Sequence, residues 1–110
     1  MIYERRKYEC LPGCVGKLSI LMEELAFRIF EKVGMTVIGA WQPEVGGNPG
    51  TLHYMLAYED MGARQRAWEA FWQDPEWVKE RAVYAEKFGG PLVVRMDSVF
   101  LTPTSYSPPR

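Results

Sequence analysis

Histidine is almost missing from this sequence: His53 is the single one among 110 residues. Cysteine is scarce as well, confined to Cys10 and Cys14 in the segment CLPGC. A structural zinc site needs about four sulfur or nitrogen ligands. Two thiols and one imidazole fall short of that, so no metal site is expected within one chain. Haem would have His53 as its only imidazole ligand, and haem is not expected either. The cysteine spacing is one residue longer than the C-x-x-C of redox motifs. It reads as two reduced thiols between a strand end and a helix start, with a Cys10–Cys14 disulfide as the alternative. Charge of one sign is also lacking: 13 basic against 14 acidic residues give a formal net charge of -1. The two signs are mixed along the chain, so no basic field points to nucleic acid or to an anionic membrane surface. No apolar run approaches the roughly 20 residues that span a bilayer. The opening MIYERRKYE lacks the apolar segment of a signal peptide, which gives a cytoplasmic location as the expectation. There is no Walker motif, no G-x-G-x-x-G after a strand and no G-x-S-x-G. Nucleotide cofactors and serine hydrolysis are thereby left without support, and no cofactor is expected.

What is present is the make-up of one folded unit. The hydrophobic fraction is 47% and the charged fraction 25%, ordinary for a globular domain. Residues 1–102 read as one domain and 103–110 as a Pro/Ser-rich tail, loosely ordered or laid against a partner.

Ile2 to Cys10 reads as a strand, with Tyr3, Arg5, Lys7 and Glu9 on one face and Ile2, Glu4, Arg6 and Tyr8 on the other. From about Cys14 to Val33, Val15, Leu18, Leu21, Met22, Leu25, Ile29 and Val33 form a helical apolar stripe. Gly34 stands where a C-terminal glycine cap belongs. Met35 to Val45 and Thr51 to Tyr58 read as two strands of an antiparallel hairpin, joined across Gly46-Gly47-Asn48-Pro49-Gly50. Asp60 caps a helix to about Gln73. Asp74-Pro75-Glu76 then starts another, which Gly89-Gly90-Pro91 stops after Phe88. Leu92 to Leu101 is the last strand. The order β-α-β-β-α-β, with its second helical segment broken at Asp74-Pro75, is the α+β ferredoxin-like pattern, an antiparallel sheet with helices on one face.

Several strands are apolar on both faces. Leu52, Tyr54, Leu56 and Tyr58 oppose Met55 and Ala57. Leu92, Val94, Met96 and Phe100 oppose Val93, Val99 and Leu101. Helices on one face cover half of such a sheet. A second copy packed with twofold symmetry would cover the rest, so a homodimer is expected.

In its order of short motifs the chain resembles the NIPSNAP family. The resemblance rests on Ile2-Tyr3-Glu4-Arg5-Arg6-Lys7-Tyr8, then on Pro12-Gly13, Gly39-x-Trp41 and Glu44-Val45-Gly46. It continues through Ala57-Tyr58-Glu59-Asp60 and Asp74-Pro75-Glu76-Trp77. It implies a dimeric α/β barrel. It does not imply a reaction, because the family is described mostly by its fold. Related barrels include cofactor-independent monooxygenases, haem-degrading enzymes and isomerases, an analogy of fold alone. The sequence departs from the family in its third strand. Tyr54 stands at the usual histidine position and Leu56 at the usual tryptophan. His53 comes one residue early, so it should face the other way.

The candidate pocket follows from the polar row in the first strand. Glu4, Arg6 and Tyr8 share a face, and Trp41, Tyr54 and Tyr58 would supply apolar walls. Arg6 could clamp an anionic group, Glu4 accept a proton and Tyr8 donate one. Alternatively, Glu4 and Arg6 pair for structure alone, since buried charges need partners. The Trp68, Phe71, Trp72 and Trp77 cluster reads as core or interface packing. The functional expectation is a homodimer binding a small molecule in each cavity, with cofactor-independent oxygenase or isomerase chemistry as an extension. The rival is a non-catalytic interaction module whose barrel interior is filled by side chains.

Overall fold

The structure is a computed structural model, and residues 1–108 are described. Four strands form one antiparallel sheet: β1 (Ile2–Cys10), β2 (Thr36–Trp41), β3 (Thr51–Tyr58) and β4 (Val93–Leu101). Their order across the sheet is β2-β3-β1-β4, and this is the ferredoxin-like α+β fold. Strand β1 is central. Glu4 stands between Leu56 and Phe100, Arg6 between Tyr54 and Ser98, and Tyr8 between Leu52 and Met96. Side chains in register share a face, so these residues look toward the helices. Arg5, paired with Met55 and Val99, and Lys7, paired with His53 and Asp97, look the other way.

The helices close one face of the sheet. The first helical rod comprises α1 (Val15–Leu21), a π-helical turn (Met22–Ala26) and α2 (Phe27–Lys32). At the π turn the amide of Phe27 bonds the carbonyl of Met22, five residues back. The extra residue rotates the apolar stripe, and Ala26 and Phe30 are buried beside Leu18, Met22, Leu25 and Ile29. A regular helix through 14–33 already sets Ala26 one turn from Met22, whereas Phe30, at the edge of that stripe, is turned into the core by the extra residue. Helices α3 (Met61–Gln73) and α4 (Pro75–Phe88) follow. The Asp60 carboxylate accepts from the Ala63 amide at 2.8 Å, and the Asp74 carboxylate from the Trp77 amide at 3.0 Å. Each satisfies an amide that a helix start otherwise leaves unpaired. Gly89 ends α4 at φ +82°, and the amides of Gly89 and Gly90 both donate to the Ala85 carbonyl at 3.0 Å.

Two strands slip by one residue. The register of β2 shifts between Val37 and Gly39, so the faces after the bulge are exchanged. Val37 opposes Leu56 on the helix side, whereas Gly39 opposes Met55 and Trp41 opposes His53 on the other. Trp41 is therefore not a wall of the pocket with Tyr54. It lies on the uncovered face, 51% exposed. Its ring folds back over Gly39, where an added Cβ would stand 2.9 Å from the indole. That explains the glycine two residues before this tryptophan. β2 also ends at Trp41 rather than running to Val45, since Pro43 has no amide for a ladder. In β4 the register shifts opposite Glu9 and Cys10. Val93 then pairs with Cys10 on the helix side instead of sharing a face with Val99 and Leu101.

The uncovered face carries exposed Ile38, Trp41, Val99 and Leu101. The C-terminal segment turns back toward it, with Pro103 and Pro108 bordering a depression shared with Tyr3, Ile38 and Met55. The last two residues of the expected tail lie outside the described region. Among the described residues, no helix is long and apolar enough to cross a membrane.

The left-handed Gly89 gives a direct check on this architecture. A Cβ in that conformation costs about 1 kcal/mol. Gly89→Ala is expected to lower the unfolding free energy by about that amount in urea titration, with an unchanged far-UV spectrum.

Candidate functional site

The site is built around a carboxylate with no contact to solvent. Glu4 is 0% exposed, and Arg6, directly along the strand, is 7% exposed. Alternation places them on one face two residues apart, and the guanidinium donates Nη1 to Glu4 Oε2 at 2.9 Å. Tyr58 Oη donates to Glu4 Oε1 at 2.9 Å. Arg64, one turn into α3, adds Nε to Oε1 at 3.3 Å and Nη2 to Oε2 at 3.2 Å. Trp68, the next turn of α3, donates its indole N–H to Tyr58 Oη at 2.9 Å. The Trp68 ring also lies 4.6 Å from the Arg6 guanidinium carbon, close enough for a cation–π contact.

A second branch runs from Arg6 to two phenols. Nη2 of Arg6 donates to Tyr8 Oη at 3.1 Å, and the hydroxyls of Tyr8 and Tyr54 lie 2.7 Å apart. Glu4, Arg6, Tyr8, Tyr54 and Tyr58 thus form one connected network. His53 points to the opposite face, where its Nε2 lies 3.3 Å from Thr51 Oγ1. Partial burial and then the charges of Lys7 and Arg5 hold its pKa low. Among the described residues, no group of three His, Cys, Asp or Glu side chains comes together as a metal site.

The network fixes the charge states. Burial disfavours the Glu4 anion, but the Arg64 hydrogen bonds, the Arg6 charge and the Tyr58 hydroxyl outweigh it and hold the pKa below the usual carboxylate value. Burial pushes the phenols of Tyr54 and Tyr58 up, and contact with Tyr8 and Glu4 respectively adds to that. Glu4 is therefore a fixed anion. Its oxygens face donors on every bond given above, which suits a structural counter-charge better than a proton acceptor. Two guanidiniums against one carboxylate leave a surplus of one positive charge.

Beside this network lies a cavity of about 320 Å³ between the sheet and the helices. Arg6 and Tyr8 form its polar wall, and Phe30, Trp68, Phe71 and Trp77 are among its aromatic ones. Glu4, Tyr54 and Tyr58 stand behind that wall rather than in it. Two of the cavity's residues carry buried N–H groups with no partner: Arg6 Nε and Trp77 Nε1. Both nitrogens are covered by protein atoms, so they lie within the packed wall rather than on its open surface.

Sequence reasoning missed Arg64, and it assigned the tryptophan cluster to packing. Arg64 lies 60 positions from Glu4, and nothing local announces the pairing. The spacing of Arg64 and Trp68, one helical turn apart, is the trace it leaves in the sequence. The tryptophans are legible as a stripe, but not as a stripe with space beside it.

The NIPSNAP family pattern matches residues 3–108. No curated protein matches the sequence. A NIPSNAP-like domain protein from Burkholderia xenovorans is 30% identical, with 98% of this chain and 89% of that one covered and a TM-score of 0.79. A NIPSNAP family protein from Agrobacterium tumefaciens is 22% identical over 99% and 98% of the two chains, with a TM-score of 0.82. SnoaB, a cofactor-independent oxygenase from Streptomyces nogalater, shares the fold at 11% identity over 97% and 96%, with a TM-score of 0.61.

Replacing the central carboxylate tests the network. Because the folded pKa of Glu4 lies below its unfolded value of about 4.3, its stabilisation is complete above that value. It is lost as pH falls through the lower folded one. Glu4→Gln leaves Arg6 buried without its counter-charge, at a cost of about 3 kcal/mol at neutral pH. Urea titrations across the acid range should show that loss, and a flatter fall of stability with acid than in the wild type.

Proposed function

The chain belongs to the NIPSNAP family, and we propose that it binds a small, ring-bearing molecule with a hydrogen-bond acceptor in the cavity beside Arg6. The observation that carries this reading is the aromatic-lined space itself, with Arg6 and Tyr8 as its polar wall. Pockets of this kind, mostly apolar with a few placed polar groups, are the usual form of small-molecule sites. The surplus positive charge of Arg6 and Arg64 over Glu4 favours an acidic ligand, such as a carboxylate or a phenolate. A cavity of about 320 Å³ also argues against an interior filled by side chains.

The chemistry this arrangement offers is stabilisation of an anion. A ligand already ionised when it binds gains a nearby cation in Arg6, and Tyr8 lies on the cavity wall as a hydroxyl able to give or take a hydrogen bond. Oxygenase and isomerase reactions that need no cofactor start from such an anion, and the fold shared with SnoaB is compatible with it.

We also propose that the molecule works as a homodimer. The support is the uncovered sheet face, where Ile38, Trp41, Val99 and Leu101 are exposed together. The free thiols of Cys10 and Cys14 fit a reducing, cytoplasmic setting.

Native mass spectrometry of protein purified from its own host tests both parts. A dimer carrying added mass is expected. Met96 borders the cavity yet is largely exposed, so Met96→Trp should fill the space without unfolding the chain and abolish the added mass. A monomer contradicts the dimer. A wild-type protein without added mass that also shows no change of tryptophan fluorescence with naphthoate contradicts the binding site.

A further inference from the structure

Tyr8 and Tyr54 share a hydrogen bond but not an environment. Tyr54 is fully buried, and its ring is enclosed by Phe27 and Phe30 at centroid distances of 5.6 and 5.9 Å. Tyr8 is half-buried and borders the cavity. Their hydroxyl oxygens lie 2.7 Å apart, and distance alone lets either one be the donor.

Counting hydrogens and lone pairs gives the direction. A phenol has one hydrogen to donate and two lone pairs with which to accept. Among the described residues, Tyr8 Oη is the one hydrogen-bond partner of the Tyr54 hydroxyl. Were Tyr8 the donor, the Tyr54 hydrogen would be buried without an acceptor, at the full cost of its desolvation. Tyr54 therefore donates and Tyr8 accepts. Burial, with the Tyr8 oxygen adding to it, raises the Tyr54 pKa well above its ordinary value, so this donor keeps its proton. Arg6 Nη2 donates to the same Tyr8 oxygen at 3.1 Å. Both lone pairs of Tyr8 are then occupied. Its own hydrogen has no acceptor among the described residues, and the space that Tyr8 borders is the cavity.

We propose that Tyr54 is a positioning residue: by donating to Tyr8 Oη alongside Arg6, it makes the Tyr8 hydroxyl a donor directed at the cavity. The inference rests on the binding reading above and narrows the ligand's class. The group that meets Tyr8 is an oxygen with no hydrogen of its own, a phenolate or a carboxylate rather than a phenol, an alcohol or an amine. A ligand O–H or N–H there would face an oxygen with no lone pair left, and two hydrogens would compete for one place.

The test uses 4-nitrophenol, whose absorbance reports its ionisation, titrated with pH on the full-length chain. Around neutral pH, Arg6 and Glu4 stay charged and Tyr54 and Tyr58 stay neutral. Bound to the wild type, the probe is expected to ionise at a lower pH than it does in solution, because the site offers its anion a cation and a donor. Tyr54→Phe keeps the ring contacts and removes the donated hydrogen. One lone pair of Tyr8 is then open to the neutral phenol, so the bound probe's pKa should rise by roughly 0.5 to 1 pH unit over that in the wild-type complex. A role in packing alone would leave it in place. An unchanged or lowered pKa overturns the positioning role while leaving the cavity as a binding site. A wild-type protein that binds neither nitrophenol nor naphthoate overturns both readings. Neutron diffraction from deuterium-exchanged wild-type crystals asks the same question without a substitution. The deuterium is expected on Tyr54, pointing at Tyr8 Oη, and a deuterium on Tyr8 pointing at Tyr54 overturns the proposal.

Discussion

One buried anion organises this molecule. Glu4 sits on the central strand with no water to solvate it, and an isolated carboxylate there would be prohibitively costly. Its partners come from three separate parts of the chain: Arg6 along the same strand, Tyr58 across the ladder in β3, and Arg64 from α3. The sheet register and the seat of α3 are thus tied to one group. An apolar replacement of the whole set could be as stable. The ion cluster does something that apolar packing does not: it fixes a guanidinium against the wall of a cavity and holds it charged.

That guanidinium defines the character of the site. Arg6 has its Nη1 and Nη2 committed to Glu4 and Tyr8, while its Nε is free. The planar group is therefore held in one orientation at the edge of the cavity. The aromatic shell continues this rigidity. Trp77 lies 4.5 Å from Phe71, Phe71 lies 4.9 Å from Phe30, and Phe30 stacks at 5.9 Å on Tyr54. In a wall of this kind the interlocked rings leave little freedom to reshape.

Much of the fold is legible in the sequence wherever structure is decided locally. The ends of β1 and β3, the caps at Asp60 and Asp74, and the stop at Gly89 follow from residues within one turn of the feature they set. The grouping of Glu4, Arg6 and Tyr8 follows from strand alternation alone. What escapes is of two kinds. Partners distant in the chain, such as Arg64 for Glu4, leave no periodic mark. Single-residue slips invert a periodicity that is otherwise read correctly: Trp41 changes faces because β2 bulges after Val37, Val93 because β4 bulges opposite Cys10, and Phe30 enters the core because the first helical rod contains a π turn.

The π turn has a consequence for how such a protein can change over generations. It amounts to one residue beyond what an α-helix through the same span requires. Met22 and Ala26, within it, border the cavity, as do Leu18 and Leu21 before it. Losing a single codon in this stretch would restore the regular helix and rotate one half of the rod against the other, while the sheet kept its own hydrogen bonds. The shape of the cavity is therefore coupled to insertion and deletion rather than to gradual substitution. A chain that shared this sheet and lacked that one residue would therefore surround a cavity of a different shape.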